Sequence, residues 1–359
     1  MPGNVMLKEL AEFSTEFGTD EYLKGGGGNS SAKNKTTMWI KPSGTSLRKL
    51  EPDDFLPVDR GMVRKLYDID PPEDTARRET LVRQILVKAV LDGRKERPSV
   101  ETPLHESIDY RYVMHTHPVL VNGMTCSQKG GEACNRLFPG AMWCDRPEAG
   151  YRLCMNLRGK LSEYKQATGK QPEVIFLKNH GLIVSSDSTV RMRQLHADVM
   201  DILRQEYAKA GVTDRLVTGD AADSVRTDAE TAEIKKLLGD HAACVVSSVS
   251  FEVVEGPITP DHIVYSKSFP YVGELDNRLL DEFRSTHGYA PNVIKTSAGV
   301  YGVGPDTRSA ELALELAVDG AQVNQLAGAF GGLDYLAAET AAFFDNWEAE
   351  TYRLNVLTR

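Results

Sequence analysis

Apolar positions along this chain recur at two periods, and the alternation between them predicts a mixed α/β architecture. Near the N-terminus Val5, Leu7, Leu10 and Phe13 fall close to helical spacing, so a short helix is predicted over residues 4–17. A turn, a strand and a turn follow: Lys24 and the glycines at 25–28 end in Asn29-Ser30-Ser31, and TTMWIKPSG reads as a strand. Residues 51–55 and 61–68 read as short connecting elements, and 71–93, opening on Pro71-Pro72, as a helix. After the polar loop DGRKERPSV, a helix start at Thr102-Pro103 leads into YRYVMHTHP, a buried strand. The segment MNLRGKLSEYKQATG predicts a helix, VIFLKNHGLIVSS a strand hairpin, and TVRMRQLHADVMDILRQEYAKAG a long amphipathic helix closed by Gly211.

Residues 212–247 are polar and read as a linker with one helix. From Ser248 a second unit is expected, with a strand at IVYSKSFPYV, a helix at LDNRLLDEFRSTHG, a strand pair at NVIKTSAGVYGVG and two final helices running to Leu357. The pattern thus predicts an α/β (α+β) fold in which a central sheet is flanked by helices over residues 1–245. A smaller α+β unit would span 246–359.

Composition narrows the partners. A formal charge of −9 argues against nucleic acid, whose phosphate backbone demands clustered Lys and Arg. No apolar stretch approaches the roughly 20 residues of a membrane span, and MPGNVMLKELAEF lacks the pattern of a signal peptide, so a cytoplasmic protein is expected. The cysteines, Cys126, Cys134, Cys144, Cys154 and Cys244, include no CxxC pair, which predicts free thiols rather than a disulfide framework or thiolate metal site.

Candidate chemistry begins at His115-Thr116-His117, with Asn179-His180-Gly181 further on. In an extended strand residues i and i+2 share a face, so His115 and His117 can bind one ion. His180 would close that site from a second strand. Three neutral imidazoles and an open position form the ligand set of a catalytic divalent metal, most often zinc. The glycines at 25–28 suit close approach of backbone N–H groups to an anion. With Pro42-Ser43-Gly44 and Pro98-Ser99-Val100-Glu101 they could complete a cradle for a phosphate monoester. Glu101, at the edge of that cradle, would be placed as general acid/base, its pKa raised by burial.

The motifs GGGGNSS, PSG, PSVETPLH, HTHP and KNHG, in this order over residues 24–181, resemble the class II aldolase/adducin family. TPDHIVYSK at 259–267 and SAGVYGVG at 297–304 resemble the aldolase half of fusions joining rhamnulose-1-phosphate aldolase to a short-chain dehydrogenase. The chain stops at Arg359 without a dehydrogenase half, so no nicotinamide chemistry is expected. The resemblance implies that His115, His117 and His180 hold one Zn2+ or another divalent metal per subunit, that Glu101 is the acid/base, and that Gly28, Asn29, Ser43, Gly44 and Ser99 bind the substrate phosphate. Val100 departs from the fuculose-phosphate enzymes, which carry a second serine there.

What this implies is a mainly antiparallel central sheet and a metal-dependent aldolase cleaving a ketose 1-phosphate, with a sugar phosphate as partner and a homo-oligomer, commonly a tetramer, as assembly. A phosphopentulose epimerase or a dehydratase on the same scaffold is the alternative, and an adducin-like module without chemistry a third. Of the remaining candidates, His196 on the long helix reads as a packing or surface residue, Tyr110 and Tyr112 as core aromatics, and Asp261-His262 as a cap more than as functional groups.

Overall fold

A computed structural model of the chain describes residues 2–145, 150–219 and 224–345. Its larger sheet contains β1 (Asn29–Lys33), β2 (Thr37–Ile40), β3 (Leu56–Asp59), β4 (Tyr112–Thr116), β5 (Met142–Cys144), β6 (Val174–Leu177) and β7 (Gly181–Ser186). These lie in the order β3-β2-β1-β4-β7-β6-β5, and every neighbouring pair is antiparallel except β5 with β6. Period-2 alternation along β4 feeds two cores. Tyr112 and Met114 pack with Leu10 and Phe13 of the helix Pro2–Phe17 and with Met192 and Leu203 of the helix Thr189–Lys209. Val113, on the opposite face, packs with Ile175, Ile183 and residues Leu153, Leu157 and Leu161 of the helix Gly150–Thr168. The central sheet flanked by helices is the fold that the patterning predicted, and its mainly antiparallel pairing is what the resemblance implied.

A smaller sheet contains β8 (Cys244–Ser248), β9 (Tyr271–Val272), β10 (Val293–Lys295) and β11 (Val300–Gly304), in the order β8-β11-β10-β9. Ile234 and Leu238 of the helix Ser224–Leu238 join its core on one face. Ala313, Ala317 and Ala321 of the helix Thr307–Ala327 cover the other. That long helix also packs on the helix Val119–Thr125, which belongs to the larger sheet's side. Contact there is close enough that a Cβ on Gly123 would lie 2.5 Å from the Leu326 Cβ.

Three elements differ from the sequence reading. Asn29-Ser30-Ser31 belongs to a fully buried central strand, β1, rather than to a turn. Its serine and lysine side chains find partners on both faces: Ser30 Oγ lies 2.7 Å from Ser14 Oγ, Ser31 Oγ lies 2.7 Å from His105 Nδ1, and the Lys33 ammonium donates to the carbonyls of His105 and Ile108. The run expected as a strand at 263–272 is instead the helix Pro260–Ser266, with only Tyr271–Val272 extended. Thr259 accepts from the His262 N–H as N-cap and Pro260 occupies the first turn, a start signal that overrides the β-branched character of Ile263 and Val264. Finally, β8 begins at Cys244, so a boundary placed between residues 245 and 246 falls inside a strand. Of the two final helices, Ala338–Asp345 is seen, and the expected continuation to Leu357 lies outside the described residues.

Among the described residues no helix is long and apolar enough to cross a membrane. None of the five cysteines is in a disulfide, and all but Cys244 are buried.

Candidate metal centre

Register brings the site together. On β1 and β4 Asn29 pairs with His115, and on β4 and β7 Thr116 pairs with Leu182, so His115 stands beside both the glycine run and the β6–β7 turn. His117 lies just past the end of β4, its N–H bonded to the Tyr22 carbonyl at 2.9 Å. His180 sits in the β6–β7 turn rather than on a strand. Asn179 before it has φ of 52°, a left-handed conformation that asparagine tolerates better than most residues. A Cβ on Gly181 would lie 2.4 Å from the Thr116 carbonyl and 2.7 Å from the His117 ring, so only glycine lets this turn close over β4.

The three imidazoles present ligand nitrogens that all lie within 4.8 Å of one another. His115 Nε2 and His117 Nε2 are 3.2 Å apart. Each of these rings turns its other nitrogen to a carboxylate: His115 Nδ1 is 2.6 Å from Glu101 Oε2, and His117 Nδ1 is 2.5 Å from Asp261 Oδ2. With the Nδ1 protons donated to those carboxylates, two Nε2 lone pairs face each other, an arrangement that a cation between them relieves. Metal-binding histidines are held by such outer carboxylates. Tetrahedral coordination at ~2.05 Å also puts neighbouring nitrogens roughly 3.3 Å apart, close to the observed spacing. Burial, with the neighbouring His115 adding to it, lowers the His180 pKa to about 3, which keeps that imidazole neutral and able to ligate.

Glu101 bridges this cluster and the glycine- and serine-lined segment beside it. Its Oε2 accepts from Asn29 Nδ2 at 2.6 Å as well as from His115, and its Oε1 lies 3.7 Å from His180 Nε2. The pKa direction expected from the sequence is reversed. Burial pushes the carboxyl up, but the imidazoles of His115 and His180 and the Asn29 amide outweigh it and hold the group well below the usual carboxylate range. The resting residue is therefore a carboxylate.

Gly28, Asn29, Ser43, Gly44 and Ser99 line one cleft together with Glu101, His117 and His180. Gly28 adopts φ of +65°, and a Cβ there would lie 2.6 Å from the His115 carbonyl. Val100 also faces the cleft and packs in the cluster that contains Ile263 and Phe344.

Sequence reasoning missed Lys41 and gave Asp261 a lesser role. Lys41 is 3% exposed, lines the cleft and donates to the Thr45 carbonyl at 2.6 Å. Its signal was its position immediately before Pro42-Ser43-Gly44. His196 is core packing: it is buried among Phe13, Phe17 and Tyr22, with Nδ1 2.9 Å from the Met192 carbonyl. Tyr110 and Tyr112 hydrogen-bond to the Gln171 carbonyl and to Glu9, away from the cluster.

Comparison with known proteins gives this geometry a family. A Bacillus subtilis protein described as "Uncharacterized oxidoreductase YuxG" is 24% identical over 296 residues, which cover 74% of this chain, and the match spans 42% of that protein's length. The N-terminal class II aldolase domain of a conserved Thermoplasma acidophilum protein is similar at 20% identity and a TM-score of 0.47, covering 55% of this chain and 91% of that one. The L-fuculose 1-phosphate aldolase of Glaciozyma antarctica is similar at 15% identity and a TM-score of 0.38, covering 57% and 73%. The family description "Class II Aldolase and Adducin N-terminal domain" matches residues 8–207, more than half of the sequence, and the chain belongs to that family.

Proposed function

We propose that this protein is a divalent-metal-dependent aldolase that cleaves a ketose 1-phosphate to dihydroxyacetone phosphate and an aldehyde. The observation that carries this reading is the convergence of His115, His117 and His180, within 4.8 Å, beside Glu101 and a cleft lined by glycine and hydroxyl residues. The three histidines would hold the ion, with zinc the metal best suited to an all-imidazole set. When bound, such an ion supplies Lewis-acid polarisation of the ketose carbonyl and stabilises the charge left as the C3–C4 bond breaks.

The chain's own groups do the rest. Gly28, Asn29, Ser43, Gly44 and Ser99 would hold the phosphate through backbone N–H and side-chain donors, fixing C3 and C4 near the histidines. Cleavage removes the C4 hydroxyl proton and requires a proton at C3 of the phosphate-bearing fragment. Glu101 Oε, a carboxylate at rest, is the group proposed to take up the proton that the C4 hydroxyl loses and to deliver it to C3, so that the proton count closes. The larger-sheet unit proposed over residues 1–245 would carry these groups, in a homo-oligomer that the resemblance puts at four chains.

The test is a coupled assay. Rhamnulose, fuculose and ribulose phosphates are incubated with metal-loaded protein and glycerol-phosphate dehydrogenase, and NADH consumption reports dihydroxyacetone phosphate. Turnover on a ketose 1-phosphate is expected. Silence across the panel contradicts the aldolase, and interconversion of phosphopentuloses without NADH loss assigns the site to the epimerase instead.

A further inference from the structure

The metal cluster is assembled by β4 and the β6–β7 turn, yet the residues that brace it come from more than 75 positions further along the chain. The helix Pro260–Ser266 packs against the helix Thr307–Ala327 of the smaller sheet's side. Its residues Asp261 and Tyr265 are four apart and therefore share one face. Asp261 reaches His117 Nδ1 at 2.5 Å, and the Tyr265 hydroxyl accepts from the Gly26 N–H at 3.2 Å. Just before that helix, the Ile258 carbonyl accepts from Asn179 Nδ2 at 3.1 Å, and the Asp334 carbonyl accepts from the same amide at 2.7 Å. His117, the glycine run and the turn bearing His180 are thus each tied to residues beyond 245.

Resting on the metal reading above, we infer that Asp261 is a positioning residue of the metal centre: it accepts the His117 Nδ1 proton, fixes the tautomer, and leaves the Nε2 lone pair aimed at the ion. Two observations carry this. Asp261 is 4% exposed and its carboxylate lies on the imidazole nitrogen that faces away from His115. A carboxylate taken out of water at this position is stabilised by a donor it can hold. The neighbouring backbone is also cut to fit. A Cβ on Gly27 would lie 2.4 Å from Asp261 Oδ2 and 3.0 Å from His117 Nδ1, and no positive φ accounts for the glycine. The space that a methyl group would take is the space in which carboxylate and ring meet. Residues 1–245 therefore hold the ligands, and the segment around 258–265 completes their second layer.

The experiment measures metal affinity rather than turnover. Full-length wild type, Asp261→Asn and Gly27→Ala are titrated with Zn2+ against a chromophoric chelator, and with Co2+ while its visible absorption is followed. Asp261→Asn is expected to bind Zn2+ roughly 10–100-fold more weakly, with the Co2+ spectrum at saturation unchanged because the three imidazoles remain. Gly27→Ala, which displaces Asp261 without altering a polar group, is expected to weaken binding in the same direction, so the inference stays testable if one variant fails to fold. Matching thermal unfolding of the metal-free proteins separates orientation from loss of fold. Wild-type affinity in a folded Asp261→Asn overturns the positioning role and leaves the metal reading standing. An altered saturated Co2+ spectrum overturns it too, by making Asp261 a ligand. Wild type that takes up neither metal overturns the metal reading itself.

Discussion

At the scale of single residues, Glu101 and His117 share a cluster but are predicted to fail differently. Glu101→Gln keeps the histidine ligands and loses the group that moves the proton. Metal content should be retained while kcat falls by roughly 10²–10⁴-fold, as measured by metal analysis beside the coupled assay; a fully active Glu101→Gln contradicts the assignment. His117→Ala removes a ligand, so metal content itself should fall. The buried imidazoles also set an acid limit. Folded His180 and His105 titrate near about 3, and His196 near about 4, against 6.5 for an ordinary histidine, in each case first because of burial. Between 6.5 and about 3 the unfolded chain binds protons that the folded chain refuses, so stability is lost as pH falls through that window. Urea midpoints of the metal-free protein should decline steadily from neutral pH to about pH 5, and a flat profile contradicts the burial of these rings as neutral groups.

At the scale of elements, two short pieces position the chemistry. The helix Thr102–Ser107 follows directly on Glu101, and Lys33 of β1 donates into its C-terminal end at His105 and Ile108. Burial lowers the Lys33 pKa to about 7, against the pull of Glu106. Lys33→Ala leaves those buried carbonyls without their donor and is expected to destabilise the protein by roughly 2–3 kcal/mol in denaturant melts. Thr259→Ala removes the N-cap of the helix that carries Asp261 and should lower stability by about 1 kcal/mol. Wild-type unfolding midpoints in either variant would contradict these contacts.

β1 and the helix Pro260–Ser266 mark where the sequence was hard to read. β4 and the β6–β7 hairpin were legible because their apolar runs are bounded by turn residues. β1 was not, because NSSAK has no apolar alternation: it is buried through hydrogen bonds to Ser14, His105 and the 101–108 segment, partners far away in sequence. The helix Pro260–Ser266 was misread because Ile263, Val264 and Tyr265 favour strands, although the Thr259-Pro260 start signal was present. The histidine cluster was readable from the i, i+2 spacing. Asp261 was not, since no local pattern tells that a residue 144 positions away will meet His117.

At the scale of the whole molecule, a larger sheet presents the three histidines and the cleft, and the helix Pro260–Ser266, packed on the smaller sheet's side, meets His117. The helix Thr307–Ala327 joins the two by packing against β11 on one side and the helix Val119–Thr125 on the other. Stability and metal binding should therefore be coupled across both sheets, and saturating Zn2+ should raise the unfolding midpoint of the entire chain. The most direct measurement is the metal stoichiometry of purified protein after Zn2+ loading and removal of excess ion, compared with His115→Ala, His117→Ala and His180→Ala. One ion per wild-type chain, and less than about half of that in each variant, is the result expected of a three-imidazole site with an open position. Wild type holding less than about half an ion per chain, or three variants that bind as wild type does, would contradict it.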